Sequence, residues 1–337
     1  MDPENNPKKI GIIYSHALRE YFATEQAYIT EKEAEHDANV IAEHLRKIVP
    51  EVIIYPGSPD LPEMLKKDKP DLVFNLVDTV KGSEYLASAI PGMLDLLSVP
   101  YTGADLLGFA ICCNKFLTKK LLQQSGIPTP NFQFFYDGTE PLDLQLRFPL
   151  ISKLNESHGG LEITKEAVSE NEKHLRDRIK YLISTYKQPV LVEEFIVGRE
   201  ITAFILEGAN KKVYFAEKVF NKPDDKFVFA TFEDQWLSGP DVEDQSKWAY
   251  HYEKFESDVL KEYTKKAYEV TKMADYAKFD IRMDSSGRFY FIDTNCNPAF
   301  GPRELQTAMS YILDLYGVSF QEMLRRLIVN SLKGPTD

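Results

Sequence analysis

The chain is poor in cysteine and has no long run of apolar residues. Only three cysteines occur among 337 residues, and two of them, Cys112 and Cys113, are adjacent. Three cysteines cannot build a disulfide framework, and their spacing matches no common metal-binding pattern. No stretch approaches the roughly 18 apolar residues of a membrane-spanning helix, and residues 1–7 lack the apolar segment of a secretory signal. These absences predict a reduced, cytoplasmic protein.

Positive charge is also scarce. Lysine and arginine total 40 against 52 aspartates and glutamates, so the formal net charge is −12. A protein that binds nucleic acid needs a basic surface to neutralise phosphates, and an acidic surface is repelled by anionic membranes. We therefore expect small-molecule partners, and neither nucleic acid nor membrane. A few local cations must hold any anionic substrate.

Strand and helix patterns alternate along the first hundred residues. Three strand-like runs occupy residues 8–14, 52–55 and 72–77. Apolar positions between residues 30 and 49 recur at helical spacing, and Thr30 with Glu33 forms a plausible capping box before that helix. Such alternation is typical of a doubly wound parallel sheet. The first strand is not followed by the glycine-rich turn of dinucleotide-binding proteins, which argues against a nicotinamide enzyme.

A chain of this length exceeds one compact core, so we predict three units in series. The first, residues 1–104, is the parallel-sheet unit on the substrate side. Residues 105–189 form a central α+β unit, in which a strand is expected at residues 162–165. Residues 190–337 form a third unit with long strands and a polar loop over residues 221–245.

The strongest local pattern is a predicted β-hairpin over residues 277–298. Side chains alternate between the faces of a strand, so one face would collect Lys278, Asp280, Arg282, Asp293, Asn295 and Asn297. This prediction supposes that the turn sets Lys278 opposite Asp293. Carboxylate and amide oxygens would then converge beside cations, and such hard ligands suit Mg²⁺ shared with nucleotide phosphates. A solvated hairpin face is the alternative.

Five segments stand in a characteristic order along the chain. They are Pro100-Tyr101-Thr102-Gly103, Asn114-Lys115 with Lys119 and Gly126 to Pro130, Phe148 to Lys153, Val190 to Glu200, and Asp293-Thr294-Asn295. Together they resemble the signatures of the ATP-grasp ligases of the D-alanine–D-alanine ligase type. The resemblance implies an ATP-grasp fold of α/β and α+β character, with an N-terminal doubly wound parallel-sheet domain, a central lid domain and a C-terminal mixed-sheet domain.

The resemblance also assigns site residues. It places the ATP site at Lys115, Lys153, Ser157, Gly159, Gly160, Glu193, Glu194, Phe195, Ile196 and Glu200. The lysines would meet the phosphates, Glu193 and the backbone after it the adenine edge, and Glu200 the ribose. The glycine-containing segment would form a flap over the phosphates. Two Mg²⁺ ions, with Mn²⁺ as an alternative, would be bound by Asp280, Asp293 and Asn295, and Asp293 would bridge the ions.

The implied reaction is the ATP-dependent joining of a carboxylate to an amine. A substrate carboxylate attacks the γ-phosphate to give an acyl phosphate and ADP, and an amine then displaces phosphate. The tetrahedral oxyanion of the second step needs a cation. Lys278 stands where the family has an arginine, and Arg282 and Arg303 are further candidates. Amino acids are the expected substrates, and a homodimer would fit the family.

Several departures from the family pattern concern the substrate side. The amine-binding signature after the first strand is missing, and Glu35 is its candidate counterpart. The lysine of the closing loop is absent near Gln235, and an insertion over residues 16–28 carries aromatic side chains suited to a different pocket. We therefore expect the ligase chemistry with altered specificity. The alternatives are a true D-alanine–D-alanine ligase with drifted motifs and a catalytically silent ATP-binding regulator.

Overall fold

The computed structural model describes residues 7–208, 211–222, 224–237 and 249–333, and within them it contains three β-sheets. The predicted loop over residues 221–245 lies partly outside the described residues.

The first sheet is parallel, as the alternating pattern predicted. Its strands are β1 (Lys9–Tyr14), β2 (Glu51–Pro56) and β3 (Leu72–Leu76), in the order β2-β1-β3. The helices around it are α1 (Glu25–Ile29), α2 (Ala34–Leu45), α3 (Leu61–Asp68), α4 (Glu84–Ala87) and α5 (Ala89–Leu96). Strand β1 is buried at five of its six positions, which explains why it reads as a continuous apolar run and not as an alternating one.

The capping box predicted at Thr30 is wrong. Helix α2 begins one residue after Glu33, whose side chain makes no capping hydrogen bond. The Thr30 hydroxyl instead donates to the carbonyl of Ala27 at 2.9 Å, at the end of α1. The cap of α1 is Thr24, whose hydroxyl accepts from the amide of Ala27 at 3.1 Å. Thr30 and Glu33 have the spacing of a capping box, but the Thr30 side chain is already hydrogen-bonded at the end of α1.

The second sheet has four antiparallel strands. They are β4 (Phe132–Phe135), β5 (Leu150–Leu154), β6 (Val168–Ser169) and β7 (Val190–Glu194), in the order β4-β7-β5-β6. Three helices accompany this part of the chain, α6 (Leu106–Cys112), α7 (Lys115–Gln124) and α8 (Glu172–Tyr186). Helix α7 is capped by the Asn114 side chain, which accepts from the amide of Leu117 at 3.0 Å.

Two predictions about the central part need correction. The strand expected at residues 162–165 is absent: Glu162 has a left-handed φ of 63°, and a 3₁₀ turn follows at Lys165–Ala167. Strand β7, which was predicted to open the third unit, belongs to the second sheet. Its buried Val190 and Val192 pack in the same cluster as the residues of α8. Apart from this strand, the limits of the three units stay a prediction.

The third sheet has five antiparallel strands. They are β8 (Arg199–Leu206), β9 (Lys212–Phe220), β10 (Tyr250–Lys254), β11 (Tyr276–Met283) and β12 (Phe289–Asn295), in the order β10-β9-β8-β11-β12. The helices of this part are α9 (Phe232–Trp236), α10 (Asp258–Val270), α11 (Ala308–Leu315) and α12 (Phe320–Leu332). Among the described residues, no helix combines the length and apolar character that a membrane crossing requires.

The first and third sheets share their hydrophobic cores, whereas the second sheet has a core of its own. One cluster joins Ile13 of β1 to Ile201 of β8, and another joins Phe74 of β3 to Phe204 of β8. The cluster of the second sheet draws on β4, β5, β7 and α8. The main core of the four-stranded sheet is therefore distinct from the other two, and a smaller cluster joins Ile151 of β5 to Phe229, which follows β9.

This separation can be tested with the buried Leu175 of α8. Leu175→Ala should destabilise the second sheet by about 2–5 kcal/mol, because it leaves a cavity in a fully buried site. Hydrogen exchange should accelerate in α8 and β7 and stay unchanged in β1 to β3. The matched control is Leu144→Ala, which removes a fully exposed side chain and should change little. Equal acceleration in all three sheets would contradict a separate core.

Candidate active site

One large cleft, of about 1340 Å³, is lined by residues from all three sheets and their loops. All sixteen residues predicted for the site line it: Lys115, Lys153, Ser157, Gly159, Gly160, Glu193, Glu194, Phe195, Ile196, Glu200, Lys278, Asp280, Arg282, Asp293, Asn295 and Arg303. These residues come from nine separate stretches of secondary structure or loop, which the folding of the chain brings together. Their individual roles stay predictions.

The carboxylates predicted to bind metal face each other across β11 and β12. Asp280 pairs directly with Asp293, and Lys278 pairs with Asn295. The predicted pairing of Lys278 with Asp293 is therefore wrong by two residues. A shift of two positions keeps every side chain on its original face, so the predicted convergence of oxygen ligands survives the error.

Neighbouring groups keep Asp280 ionised. Burial raises its pKa, but the ammonium groups of Lys278 and Lys218 more than reverse that effect and bring the pKa to about 2. The Lys278 ammonium donates directly to Asp280, and the Thr202 hydroxyl donates to it at 3.2 Å. At neutral pH this position therefore offers a full negative charge to the cleft.

The same group of residues suits a hard divalent cation. The ammonium nitrogen of Lys115 lies 3.6 Å from Oδ1 of Asp293, so the second carboxylate also faces a cation. The amide nitrogen of Asn295 is buried without a hydrogen-bond partner among the described residues. Two opposed carboxylates and a neighbouring amide are the oxygen donors that Mg²⁺ prefers. The residues present therefore fit a divalent metal ion.

A buried charge cluster lies beside this pair. Glu193 lies between two ammonium nitrogens, those of Lys119 and Lys153, each 3.0 Å from one of its oxygens. Burial raises the pKa of Glu193, but the two lysines outweigh it and lower the pKa. Burial also lowers the pKa of Lys119 to about 8. Two cations against one carboxylate leave a positive excess that can attract an anion.

The two lysines of this cluster are also tied to strand β12. Lys119 donates to the carbonyl of Phe291 at 2.8 Å, and Lys153 donates to the carbonyl of Ile292 at 3.0 Å. These bonds link the central unit to the strand that carries Asp293. Lys119 belongs to one of the five characteristic segments but is not among the predicted site residues. Its position four residues after Lys115, on the same face of α7, was the available signal.

Glu200 is held by a second set of cations. Lys218 lies 2.7 Å from one carboxylate oxygen, and Arg282 lies 3.2 Å from the other. Arg282 also donates to the carbonyls of Gly198 and Val228, at 2.8 and 3.0 Å. Both of its terminal nitrogens are thus engaged, whereas its Nε is buried without a hydrogen-bond partner among the described residues. Lys218 was not predicted, because a lysine in a strand gives no sign of which face is buried.

Arg303 lies on another wall of the cleft, in a 3₁₀ turn at Arg303–Leu305. Its Nε is 2.9 Å from Asp314, and its guanidinium lies 3.4 Å from the ring centre of Tyr311. Of the three cations predicted to stabilise an oxyanion, only Lys278 directly contacts one of the opposed carboxylates.

The 155–160 loop, Asn155 to Gly160, lies along the cleft. The backbone amide of Lys115 donates to the carbonyl of Asn155 at 3.1 Å, and the Lys115 ammonium donates to the carbonyl of Ser157. Gly160 has φ near +67°, and a Cβ there would lie 3.0 Å from the Gln235 side chain. The loop therefore needs glycine both for its backbone conformation and for its close approach to α9.

On the substrate side, the cleft lining includes Glu31 and not the predicted Glu35. Glu31 is 3% exposed and lines the cleft. Glu35 lies beside Tyr14, whose pKa is raised by burial and by that carboxylate. Neither residue has a local motif, so the sequence could not distinguish two glutamates four positions apart, of which Glu31 lies in the turn before α2 and Glu35 within that helix.

The aromatic residues of the 16–28 insertion pack against each other. The rings of Phe22 and Tyr28 are 5.9 Å apart, and Arg19 donates to the carbonyl of Phe22 at 2.9 Å. The cleft is lined by Ser15 before the insertion and by Ile29 after it, but not by these three side chains. They form a local cluster outside this cleft, and their role in a different pocket stays a prediction.

Comparison with known proteins identifies a matching family model and several related sequences. The model of the family "D-ala D-ala ligase C-terminus" matches residues 121–329. The uncharacterized protein y4sG of Sinorhizobium fredii is 31% identical over 72% of this chain and 68% of its own length. The D-alanine–D-alanine ligases of Aquifex aeolicus and Carboxydothermus hydrogenoformans are each 28% identical. They cover 77% and 82% of this chain, and 82% and 86% of their own lengths.

The architecture has a solved counterpart. A D-alanine–D-alanine ligase from Bacillus anthracis, complexed with ATP, superposes with a TM-score of 0.72 over 97% of this chain and 98% of that one. At 20% identity this likeness shows the fold alone. The predicted ATP-grasp fold is thereby confirmed. Because the family model spans more than half of the sequence, the chain belongs to the D-alanine–D-alanine ligase family.

Proposed function

We propose that the chain is an ATP-dependent ligase that joins a carboxylate to an amine through an acyl phosphate, with an amino acid as one substrate. The observation that carries this proposal is the direct opposition of Asp280 and Asp293 beside Lys115 in the large cleft. Ionised carboxylates next to lysines suit a metal-bound nucleotide and not a purely apolar ligand.

ATP would lie between the second and third sheets. Lys115 and Lys153 would contact its phosphates, and the buried Glu193 with the backbone of residues 194–196 would hold the adenine edge. Glu200 would meet the ribose. Lys119 would add positive charge to this part of the cleft, because Lys119 and Lys153 both bind the single carboxylate of Glu193.

Asp280, Asp293 and Asn295 would hold two Mg²⁺ ions, with Mn²⁺ as an alternative and Asp293 as the shared ligand. When bound, the ions neutralise charge that spreads over the transferred phosphoryl group. Lys278 is the side chain that we assign to the oxyanion of the second step, since its ammonium already lies at the carboxylate pair. Preorganised cations of this kind stabilise a transition state at little reorganisation cost.

D-Alanine is the second candidate substrate, because the curated relatives named above include D-alanine–D-alanine ligases. The side chains of α9 that contact the 155–160 loop favour a substrate other than D-alanine. Gln235 and Trp236 contact the loop glycines at the position where the family has a lysine. The retained Asp280 and Asp293 argue against a silent regulator. The homodimer and the cytoplasmic location stay predictions.

The metal assignment predicts that Asp293→Asn reduces ADP release by roughly a hundredfold or more, because it removes charge from the shared ligand without changing its shape. The fold should be kept, as judged by circular dichroism and melting temperature. The matched control is Asp60→Asn, at an exposed position that precedes helix α3. A rate within threefold of the parent in steady-state ADP release would remove Asp293 from the metal site.

The nucleotide assignment predicts that ATP with Mg²⁺ binds the folded protein and raises its melting temperature. The effect follows from mass action and reaches about 2.7 kcal/mol at a ligand concentration of 100 times Kd. Calorimetry with ATP alone should show weaker binding, because the opposed carboxylates then repel the phosphates. Absence of any binding with Mg²⁺ present would count against the nucleotide site as a whole.

The specificity assignment predicts that D-alanine alone is a poor substrate as both acid and amine. A pocket with one unmatched polar contact can lose several powers of ten in rate. ADP release should be measured with D-alanine alone and with pairs drawn from L- and D-amino acids, and the product of the best pair identified by mass. If D-alanine gives the highest rate and D-alanyl-D-alanine is formed, the departures from the family pattern have no effect on specificity.

A further inference from the structure

The side chain of His158, in the 155–160 loop, lies between two carboxylates of the N-terminal part of the chain. Its Nδ1 is 2.5 Å from Oε1 of Glu84, and its Nε2 is 2.5 Å from Oε1 of Glu31. The side chains of His158, Glu84 and Glu31 are 23%, 12% and 2% exposed. Both ring nitrogens therefore face a carboxylate oxygen, with hydrogen-bond geometry at Nδ1 and a charge contact at Nε2, in a site that is mostly shielded from water.

The same loop also contacts the third part of the chain. The indole nitrogen of Trp236, in α9, donates to the carbonyl of Gly159 at 2.7 Å. None of residues 155–160 belongs to a hydrophobic cluster of the described part of the chain, although Gly159 lies close to the side chains of Thr30 and Trp236. The specific contacts of this loop are therefore polar ones, and His158 makes its contacts with two carboxylates of the N-terminal part.

The geometry requires an extra proton in this cluster. A neutral imidazole has one N–H and one lone pair, whereas an imidazolium has two N–H groups. A lone pair 2.5 Å from a carboxylate oxygen would be repelled, so both contacts are favourable only when the cluster carries the second proton. Burial lowers the pKa of His158, but Glu84 and Glu31 outweigh it and raise the pKa well above 6.5.

A bound metal ion is the competing explanation. Ligand atoms of Glu31, Asp78 and His158 lie within 4.8 Å of one another, a spacing that could hold one. An imidazolium has no lone pair to offer, however, and both nitrogens already face carboxylates. The charge that a metal would supply is thus already present on the ring, so the protonated histidine accounts for the cluster without an ion.

We propose that His158 is a positioning residue, whose protonated ring ties the 155–160 loop to Glu31 and Glu84 and so holds that loop over the nucleotide cleft. Its effect on ATP turnover rests on the proposed function, whereas its effect on the loop does not. The Lys115 ammonium donates to the carbonyl of Ser157 in the same loop and lies 3.6 Å from Asp293. The histidine therefore acts on the reacting groups through the loop and Lys115.

The direction of the pH dependence follows from the raised pKa. The stabilisation from His158 is complete below the ordinary value of about 6.5 and is lost as the pH rises through the higher value in the folded protein. Other groups also respond to pH here. Asp78 has a pKa raised to about 7 by burial and by Glu31 and Glu84, and it changes in the same direction. Two further charged groups interact with Glu84, namely Glu156 and Lys115.

Because two groups titrate in one direction, variants must separate them. His158→Gln removes the titrating ring, and His158→Lys keeps a cation whose pKa is about 10.4 in water. Asp78→Asn removes the second titrating group and leaves the ring. The matched control is His174→Gln, at an exposed position on α8 in the same unit.

The measurement is hydrogen exchange of the amides of residues 156–161 in the full-length protein, expressed as protection factors between pH 6 and pH 10. We expect protection in the parent to fall as the pH rises. In His158→Gln it should be at least roughly tenfold lower at pH 6 and nearly independent of pH. His158→Lys should restore part of the protection and move its loss to higher pH. Asp78→Asn and His174→Gln should both retain the fall seen in the parent.

The same variants separate this inference from the proposed function. If the parent releases ADP, His158→Gln should raise KM for ATP with Mg²⁺ more than it lowers kcat, whereas His174→Gln should change neither. If the parent does not bind ATP, the proposed function fails and the exchange data still decide the role of His158. Parent-like protection in His158→Gln at every pH would overturn the proposal. Loss of protection on treating the parent with a chelator, and recovery with Zn²⁺, would replace it with a metal site.

Discussion

The pairing of Asp280 with Asp293 across two antiparallel strands is the contact on which the cleft depends. Directly opposite carboxylates repel each other, so the fold has to surround them with cations. Lys278 contacts the first and Lys115 approaches the second. Lys115 comes from α7, which precedes the second sheet, and the two lysines bonded to β12 come from α7 and from β5 of that sheet. The need to balance these two charges thus connects the central unit to the third sheet.

Burial of charge sets the second constraint. Glu193 and Glu200 are almost fully buried, and each is held between two cations. Removing one partner from such a group leaves an uncompensated charge in a poorly solvated place, which costs several kcal/mol. A protein with an overall charge of −12 therefore concentrates part of its scarce positive charge inside the cleft. An anionic ligand in the cleft is therefore attracted by these nearby cations, although the protein as a whole is negatively charged.

Periodicity explains how much of the fold could be predicted. The parallel strands β1 and β3 were found because a strand buried on both faces is a continuous apolar run. The predicted register of the β11–β12 hairpin was wrong by two residues, but the same side chains still face the site, because side chains alternate faces with a period of two. The predicted capping box at Thr30 was wrong, since a short motif cannot show whether the preceding helix binds the same side chain. The sheet of β7 could not be assigned, as antiparallel pairing joins strands that are distant in sequence.

Local order in the sequence determined the family, the two opposed carboxylates and the lysines of the quoted motifs, because each depends on residue type and short spacing. Tertiary structure alone decided which cations those carboxylates bind. Lys218 beside Glu200 is an ordinary strand lysine until β8 and β9 pair. Likewise, the contact of His158 with Glu31 and Glu84 joins residues more than seventy positions apart. Such contacts depend on how three packed units meet, and no local pattern of residues encodes that geometry.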